Sequence, residues 1–597
     1  MPVEFVELAK LIGGIILLIV PGYLWSFILF PKITHLERIV FGFVLGLSVL
    51  SCGMFILNVI FGITLTYTVI WLLLALYTIP VLIIIIYCLL VFKFEIKKPS
   101  FKDFKNPKLL LLVFVLGFTV FMIFLPHLKD GYFLPFHVDE WEHWSYSRAV
   151  AESGSTSFVN PYLGQGILQP LEIGFNLVVS GISWISGSNF VTIFVFMPSL
   201  IAVFTSLAAF NIGEKTERKF GLEAAFFVAL IPTTCRMMGP SFFVPLALGL
   251  LFIVLIIWIL QQKTYQAMLL IPFIIWCMFL IHPPTALAGF MVSIIFTVLF
   301  LFEKKYKLSL LTVGLSLIPI GFMLLLLTRW NMSIQDVIRA FLGEGKFMDL
   351  DLPKIWISFE HIGIVIWVFF IIGAYFAFSK GKTTVHAIGL SAIVFITLIG
   401  LYDKFNYGMP IMYERSFMYL FLMVALMAGW GLSELKRTLA ENTEKFVPKQ
   451  YGKLLKHNGI IISLTVCIIL VATTVPAHLN INYYHMINED EYETFSWIHD
   501  NIKSFRDENH SYDRCAVDPF QASPFAAISG LYIVSSTMSP IYGYSLHAEL
   551  EQFLNDKCTD TSFLQKYQIS VIYSPNCINE NFTVIYPNVY RYPELMK

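Results

Sequence analysis

Residues 109–148 read LLLLVFVLGFTVFMIFLPHLKDGYFLPFHVDEWEHWSYSR. Two structures are written into that one stretch. From Leu109 to Pro126 there is no charged side chain, and a run of this length is what a helix needs to cross a bilayer. Ten residues later the chain turns acidic and aromatic. Asp139 reads as the N-cap of a second helix and Gly154 as its stop. On that helix Asp139 and His143 lie four apart and share a face with Glu142 and Tyr146, while Trp141 and Trp144 suit a helix lying in the membrane interface. An apolar span is thus followed directly by an acidic cluster just outside the membrane.

The rest of the chain repeats the first half of this pattern. Of its 597 residues 57% are hydrophobic and 13% charged, roughly half the charged fraction of a soluble domain. Mean hydropathy is +0.74. So few polar residues cannot cover a water-exposed surface, and the fold class is expected to be an all-α polytopic membrane protein. Hydropathy gives about fourteen spans from 8–30 to 459–475, of which 222–235 and 268–281 are short for a full crossing. Glu4 and Glu7 precede the first apolar run and no small-residue cleavage site follows it, so it is expected to stay as a membrane helix. The zero formal net charge leaves no footprint for nucleic acid.

Charge placement sets the expected orientation. Lys93, Lys97, Lys98, Lys102, Lys105 and Lys108 mark 93–108 as cytoplasmic. Alternation then puts Lys215, Arg218 and Lys219, Lys304, Lys305 and Lys307, Lys380 and Lys382, and the basic loop 434–458 on the same side. The loops 127–189, 329–360 and 403–415 fall outside with the N-terminus and the tail. So do the sequons at Asn331, Asn509 and Asn581. Three units follow: 1–108, a three-helix membrane module and basic loop; 109–475, a membrane core that includes loop 127–189; and 476–597, an extracytoplasmic α/β domain. In the tail a helical pattern over Glu489–Lys503, a strand at Cys515–Pro519, a helix at Ala548–Asp556 and a strand at Ile569–Tyr573 support the last. Of eight Cys, Cys515, Cys558 and Cys577 lie in the tail, enough for one disulfide with one thiol left over, and no zinc spacing occurs.

Each candidate residue has a plain competitor. Asp139 could serve only as a cap, with Glu140 and Glu142 favouring the helix dipole. Asp139, Glu140 and His143 could instead bind a divalent metal. His282, before Pro283, reads first as a helix-end packing residue. Asp349 and Asp351 could complete a metal or acceptor site, but acidic outer loops are usually solvated.

The order of these motifs resembles the glycosyltransferase C superfamily, polytopic enzymes that use polyprenyl-phosphate or polyprenyl-pyrophosphate sugars and include protein mannosyltransferases, aminoarabinose transferases and oligosaccharyltransferases. The resemblance runs over about residues 109–597. It rests on the outer Asp139-Glu140-x-x-His143, the second amphipathic stretch Leu168–Gly187, the turn His282-Pro283-Pro284, the outer Arg415 of Met412–Phe417 and the tail segment Tyr492–Ile498. It implies a core of about eleven spans and a cell-membrane enzyme of an archaeon or bacterium. Asp139 or Glu140 would then be the catalytic acid of the first outer loop, and Arg415 would hold the carrier phosphate. The first hundred residues depart from that plan, with Pro21-Gly22-Tyr23 and Leu36–Val40 resembling a module of some uncharacterised prokaryotic membrane proteins. The paired Asp-Asp of some oligosaccharyltransferases is missing, which leaves a metal requirement in doubt.

The chemistry explains the residue types. An acceptor hydroxyl needs a carboxylate to take its proton as it attacks the anomeric carbon; Asp139 is first choice, then Glu140, with His143 orienting. The departing lipid phosphate, polyprenyl or dolichyl, needs a cation: Arg415 first, with Arg236 and Arg329 as alternates. Attack by one nucleophile inverts the anomeric centre, as the resemblance also implies. The acceptor, whether glycan, lipid or protein, is not written in the sequence. The main alternative is a transporter or flippase of a lipid-linked glycan, which should carry ionisable residues at mid-membrane or broken helices in paired positions. A non-catalytic scaffold is a third reading.

Overall fold

The computed structural model describes residues 5–91, 107–164, 166–329, 335, 362–446, 458–502, 514–536 and 546–592. Asn331, Asp349, Asp351 and Asn509 lie outside them. Among the described residues nine helices are long and apolar enough to cross a membrane.

The chain opens with α1 (Phe5–Leu29), α2 (His35–Phe55, prolonged by a π turn, Ile56–Ile60) and α3 (Tyr67–Val91). Next come α4 (Pro107–Asp130), the helices α5 (Val138–Ser153) and α6 (Ile173–Ser186) of the loop expected outside, and α7 (Phe190–Lys215). The core continues through α8 (Gly221–Val228), α9 (Pro245–Gln261), α10 (Tyr265–Ile281), α11 (Pro283–Phe302) and α12 (Tyr306–Arg329). It ends with α13 (Ile364–Lys380), α14 (Thr383–Phe405), α15 (Pro410–Phe446) and α16 (Asn458–Leu479). Helix α15 is the axis: the apolar window of its span is wholly buried.

The expected span at 222–235 is not one. Helix α8 stops after eight residues because Ile231 precedes Pro232, a position that disfavours helical backbone. The chain then runs irregularly to Val244, buried inside the bundle, where such backbone is tolerated at membrane depth. There the Ser241 N–H is satisfied by the Thr233 hydroxyl at 2.9 Å.

Helices α1 and α2 pack against the core, while α3 keeps most of its surface exposed. Gly22 of α1 meets Gly42 of α2 so closely that an added Cβ would lie 2.6 Å from the Gly42 oxygen. Together α1 and α2 hold the outer loop. Glu7 accepts the Asn189 N–H at 2.9 Å beyond the end of α6. Asn58 takes both the backbone N–H and the hydroxyl of Thr156, at 2.9 and 2.7 Å. The Leu65 N–H donates to the Gly154 carbonyl at 2.7 Å.

The tail forms a five-stranded sheet in the order β4-β3-β5-β7-β6. Numbering follows a two-residue outer hairpin, β1 (Phe158–Val159) and β2 (Ile167–Leu168). The tail strands are β3 (Arg514–Ala516), β4 (Tyr532–Ile533), β5 (Ile569–Tyr573), β6 (Thr583–Tyr586) and β7 (Val589–Arg591). Strand β3 runs parallel to β4 and β5, and the remaining pairs are antiparallel. The tail helices are α17 (Glu489–Asn501), α18 (Ala522–Ser529), α19 (His547–Asn555) and α20 (Thr561–Tyr567). A Cys558–Cys577 disulfide closes the last part, and Cys515 stays a buried thiol. The tail rests on the outer loop: Arg148 of α5 donates to the Ala527 and Ile528 carbonyls at the end of α18, at 2.8 and 2.9 Å.

Candidate active site

The N-cap of α5 is His137, not Asp139. The His137 side chain accepts from the Asp139 N–H, Glu140 reaches back to the His137 N–H, and Gly154 closes the helix in the left-handed conformation. Asp139 is thereby released from capping. Trp141 and Trp144 do not anchor the helix at the membrane surface: they are 0% and 5% exposed and stack on each other at 5.2 Å.

Glu140 is a structural clamp. One carboxylate oxygen accepts the N–H groups of Phe136 and His137 at 3.0 and 3.1 Å, and the other accepts that of Phe243 at 2.8 Å. Burial pushes its carboxyl up to about 7 against these donors. Of the trio Asp139, Glu140 and His143, Glu140 thus has both oxygens committed to backbone N–H groups. Among the described residues no group of three or more His, Cys, Asp or Glu is placed to hold a metal ion.

Asp139 is 26% exposed, with the His137 Nδ1 3.4 Å from its carboxylate. Burial raises its pKa, but the hydrogen bond and charge of His137 and the charges of Arg415 and His143 outweigh it, so the pKa falls below 3.8. The His137 Nε2 faces the Cys235 carbonyl at 2.8 Å. A carbonyl only accepts, so that nitrogen carries the proton of the neutral ring.

Glu172, which sequence reasoning passed over, joins three elements. One of its oxygens lies 3.4 Å from the His143 Nε2 and the other 3.5 Å from the His282 Nε2. Burial raises its pKa, and His143, His282 and Arg415 together bring it below 4.5. The His143 pKa is lowered by burial and raised more by Glu172, Glu142 and Asp139, for a net rise. His282 is thus more than a packing residue. Its Nδ1 meets the Thr285 hydroxyl at 2.5 Å, and Thr285 meets the Tyr419 hydroxyl at 2.8 Å. Gly174 makes the approach of α6 to α10 possible: a Cβ there would lie 2.6 Å from the Leu280 carbonyl carbon. The only sequence signal for Glu172 was its place at the start of the amphipathic stretch.

Arg415, in the first turns of α15, sends its charge to both Asp139 and Glu172. Its Nε and Nη1 are buried and find no hydrogen-bond partner among the described residues. Arg236 instead pairs with Glu414 at 3.3 Å. Arg329 closes α12, and its side chain is not among those described. The assembly can do two things: accept a proton at Asp139, and receive an anion at Arg415.

No protein-family model matches the chain, and no curated protein matches it. Among solved structures it is similar to the crystal structure of the Archaeoglobus fulgidus oligosaccharyltransferase in the apo form. That match has TM-score 0.49 and 11% identity, and covers 78% of this chain and 69% of that one. It is also similar to the archaeal oligosaccharyltransferase AglB from Archaeoglobus fulgidus in complex with an inhibitory peptide and a dolichol-phosphate (TM-score 0.48, 10% identity, 79% and 70% covered). A likeness at this level carries no activity, substrate or partner over to this chain.

Proposed function

We propose that the protein is a membrane glycosyltransferase that moves a sugar from a lipid-phosphate carrier to an acceptor hydroxyl at the outer membrane face. The observation that carries this reading is the pairing of a half-buried carboxylate, Asp139, with the unpartnered buried nitrogens of Arg415. A buried guanidinium left without acceptors is costly unless a ligand supplies them, and phosphate oxygens match its fork.

Asp139 takes the proton of the acceptor hydroxyl. The freed oxygen forms the new bond at the anomeric carbon while the bond from that carbon to the phosphate oxygen breaks, and the electron pair leaves with the lipid phosphate. Arg415 neutralises that charge as it develops. The His143 and His282 rings on Glu172 keep α5, α6 and the α10–α11 join at fixed spacing around the reacting centre. The tail disulfide favours an extracytoplasmic placement of the C-terminal sheet. A flippase is less well supported, because the buried charges gather in the Asp139 site and in ion pairs at the other end of the bundle.

The test is sugar transfer or release from a panel of labelled polyprenyl-phosphate sugars. Purified protein is compared with Asp139→Asn and Arg415→Ala. Consumption of one donor, lost in Asp139→Asn while the protein stays folded, supports the reading. Full activity of Asp139→Asn removes Asp139 as base, and Glu172 is tested next.

A further inference from the structure

At the end of the bundle away from Asp139 lies a cavity of about 190 Å³ whose wall is basic. Glu434 marks its level on α15, nineteen residues beyond Arg415, or roughly 28 Å along the helix, close to the thickness of a bilayer core. Five cations line it: Lys215 at the end of α7, Arg218 in the following turn, Lys263 between α9 and α10, Lys380 at the end of α13 and Lys382 before α14. Glu217 is the sole carboxylate among the lining residues.

The other acids at this end hold the cations from outside that lining. Glu37 takes Lys215 at 2.9 Å, Glu303 takes Lys263 at 2.8 Å, and Glu434 takes Arg218 at 2.5 Å and Lys380 at 3.8 Å. The Lys263 ammonium spends its three donors on the two Glu303 oxygens and the Thr383 hydroxyl, and Lys382 pairs with Glu217. An ammonium has three donors and a guanidinium five, so the pairings of Lys215, Arg218, Lys380 and Lys382 fix those side chains and leave donors for the cavity. Helix α14 starts at the same wall. Its N-cap, Lys382, makes no side-chain cap, while Thr383 and Thr384 of its first turn line the cavity. Uncapped N–H groups and the positive end of the helix favour an anion there. Trp430 adds an aromatic wall of the kind found at headgroup depth.

We infer that this cavity binds a phosphate-bearing anion, either the headgroup of an acidic membrane lipid or a free phosphate, at the membrane face opposite Asp139. Basic pockets between membrane helices on the cytoplasmic side take such headgroups. The inference is independent of the sugar-transfer reading.

The test uses the full chain in phosphatidylcholine nanodiscs, with and without phosphatidylglycerol, and separately with inorganic phosphate. Thermal unfolding and native mass spectrometry of retained lipid are the readouts. Phosphatidylglycerol should raise Tm and remain bound. The double variant Lys380→Gln/Lys382→Gln should bind it roughly tenfold or more weakly while keeping its Tm in pure phosphatidylcholine, because Glu434 keeps Arg218 and Arg437. Lys436→Gln, at the same face but outside the cavity, should behave as the unmodified protein. A rise produced by inorganic phosphate alone and lost in the double variant identifies the occupant as the free anion. No rise with either probe, or an undiminished rise in the double variant, overturns the inference.

Discussion

The Nδ1 of His137 stands 3.4 Å from the Asp139 carboxylate while the Nε2 of the same ring is committed to the Cys235 carbonyl at 2.8 Å. The neutral ring carries its proton on Nε2 and accepts the Asp139 N–H at Nδ1, so it pairs with the Asp139 carboxylate only after a second proton arrives at Nδ1 and the capping bond is given up. Burial lowers the His137 pKa, and Asp139, Glu140 and the Cys235 carbonyl raise it further, for a net rise. The Asp139 carboxyl is depressed from its ordinary value, so the stabilisation from its pairing is present above the unfolded pKa and is lost as pH falls through the lowered one. His137→Asn keeps a capping side chain and removes the cation. The acid limb of the pH profile of kcat/KM should move to higher pH with Tm nearly unchanged. An unmoved limb would show that His137 does not tune the base.

Glu172→Gln should keep the size of the side chain and release both imidazoles. Activity should drop by roughly ten- to a hundredfold, less than the roughly 10²- to 10⁴-fold expected for loss of a general base in Asp139→Asn. Steady-state rates for the two variants decide it: a deeper loss in Glu172→Gln would exchange their roles.

Glu140→Ala should act on folding. It leaves three backbone N–H groups without their acceptor, each costing about 1–3 kcal/mol when buried. Thermal unfolding in detergent should show a large loss of Tm, whereas Asp139→Asn should leave Tm close to that of the unmodified protein.

Gly174→Ala should part α6 from α10, because the new methyl meets the Leu280 backbone at 2.6 Å and backbone cannot step aside as a side chain can. Turnover should fall with Glu172 intact. Unchanged turnover would show that the spacing of Glu172 and His282 is not critical.

The Cys558–Cys577 disulfide gives a handle on sidedness. Intact cells carrying Ile578→Cys, an exposed position beside the disulfide, should take up a membrane-impermeant maleimide above the level of the unmodified protein, in which Cys515, Cys558 and Cys577 are buried. Labelling that requires lysis would place the sheet inside.

Much of this molecule was legible in the sequence because membrane physics is blunt. Uncharged runs of fixed length gave the long helices, and Asp139-Glu140-x-x-His143 marked the loop that carries the candidate site. The errors have local causes. Asp139 and His137 both suit an N-cap, and only the reach of Glu140 back to the His137 N–H decides between them. The run at 222–235 has a span's hydropathy but carries Pro232. Glu172 was invisible because its partners, His143 and His282, come from distant parts of the chain; no spacing rule joins residues that meet only when α6 lies against α10.

The hold of α1 and α2 on the outer loop has a bearing on how the protein is made. Glu7, Asn58 and Leu65 leave the ribosome well before the partners they grip, Asn189, Thr156 and Gly154. Chains fold from the N-terminal side as they are synthesised, so the loop carrying Asp139 is translated onto a foundation already standing. A gene shortened at its front would still encode every reacting group, yet it would deliver them to an empty berth.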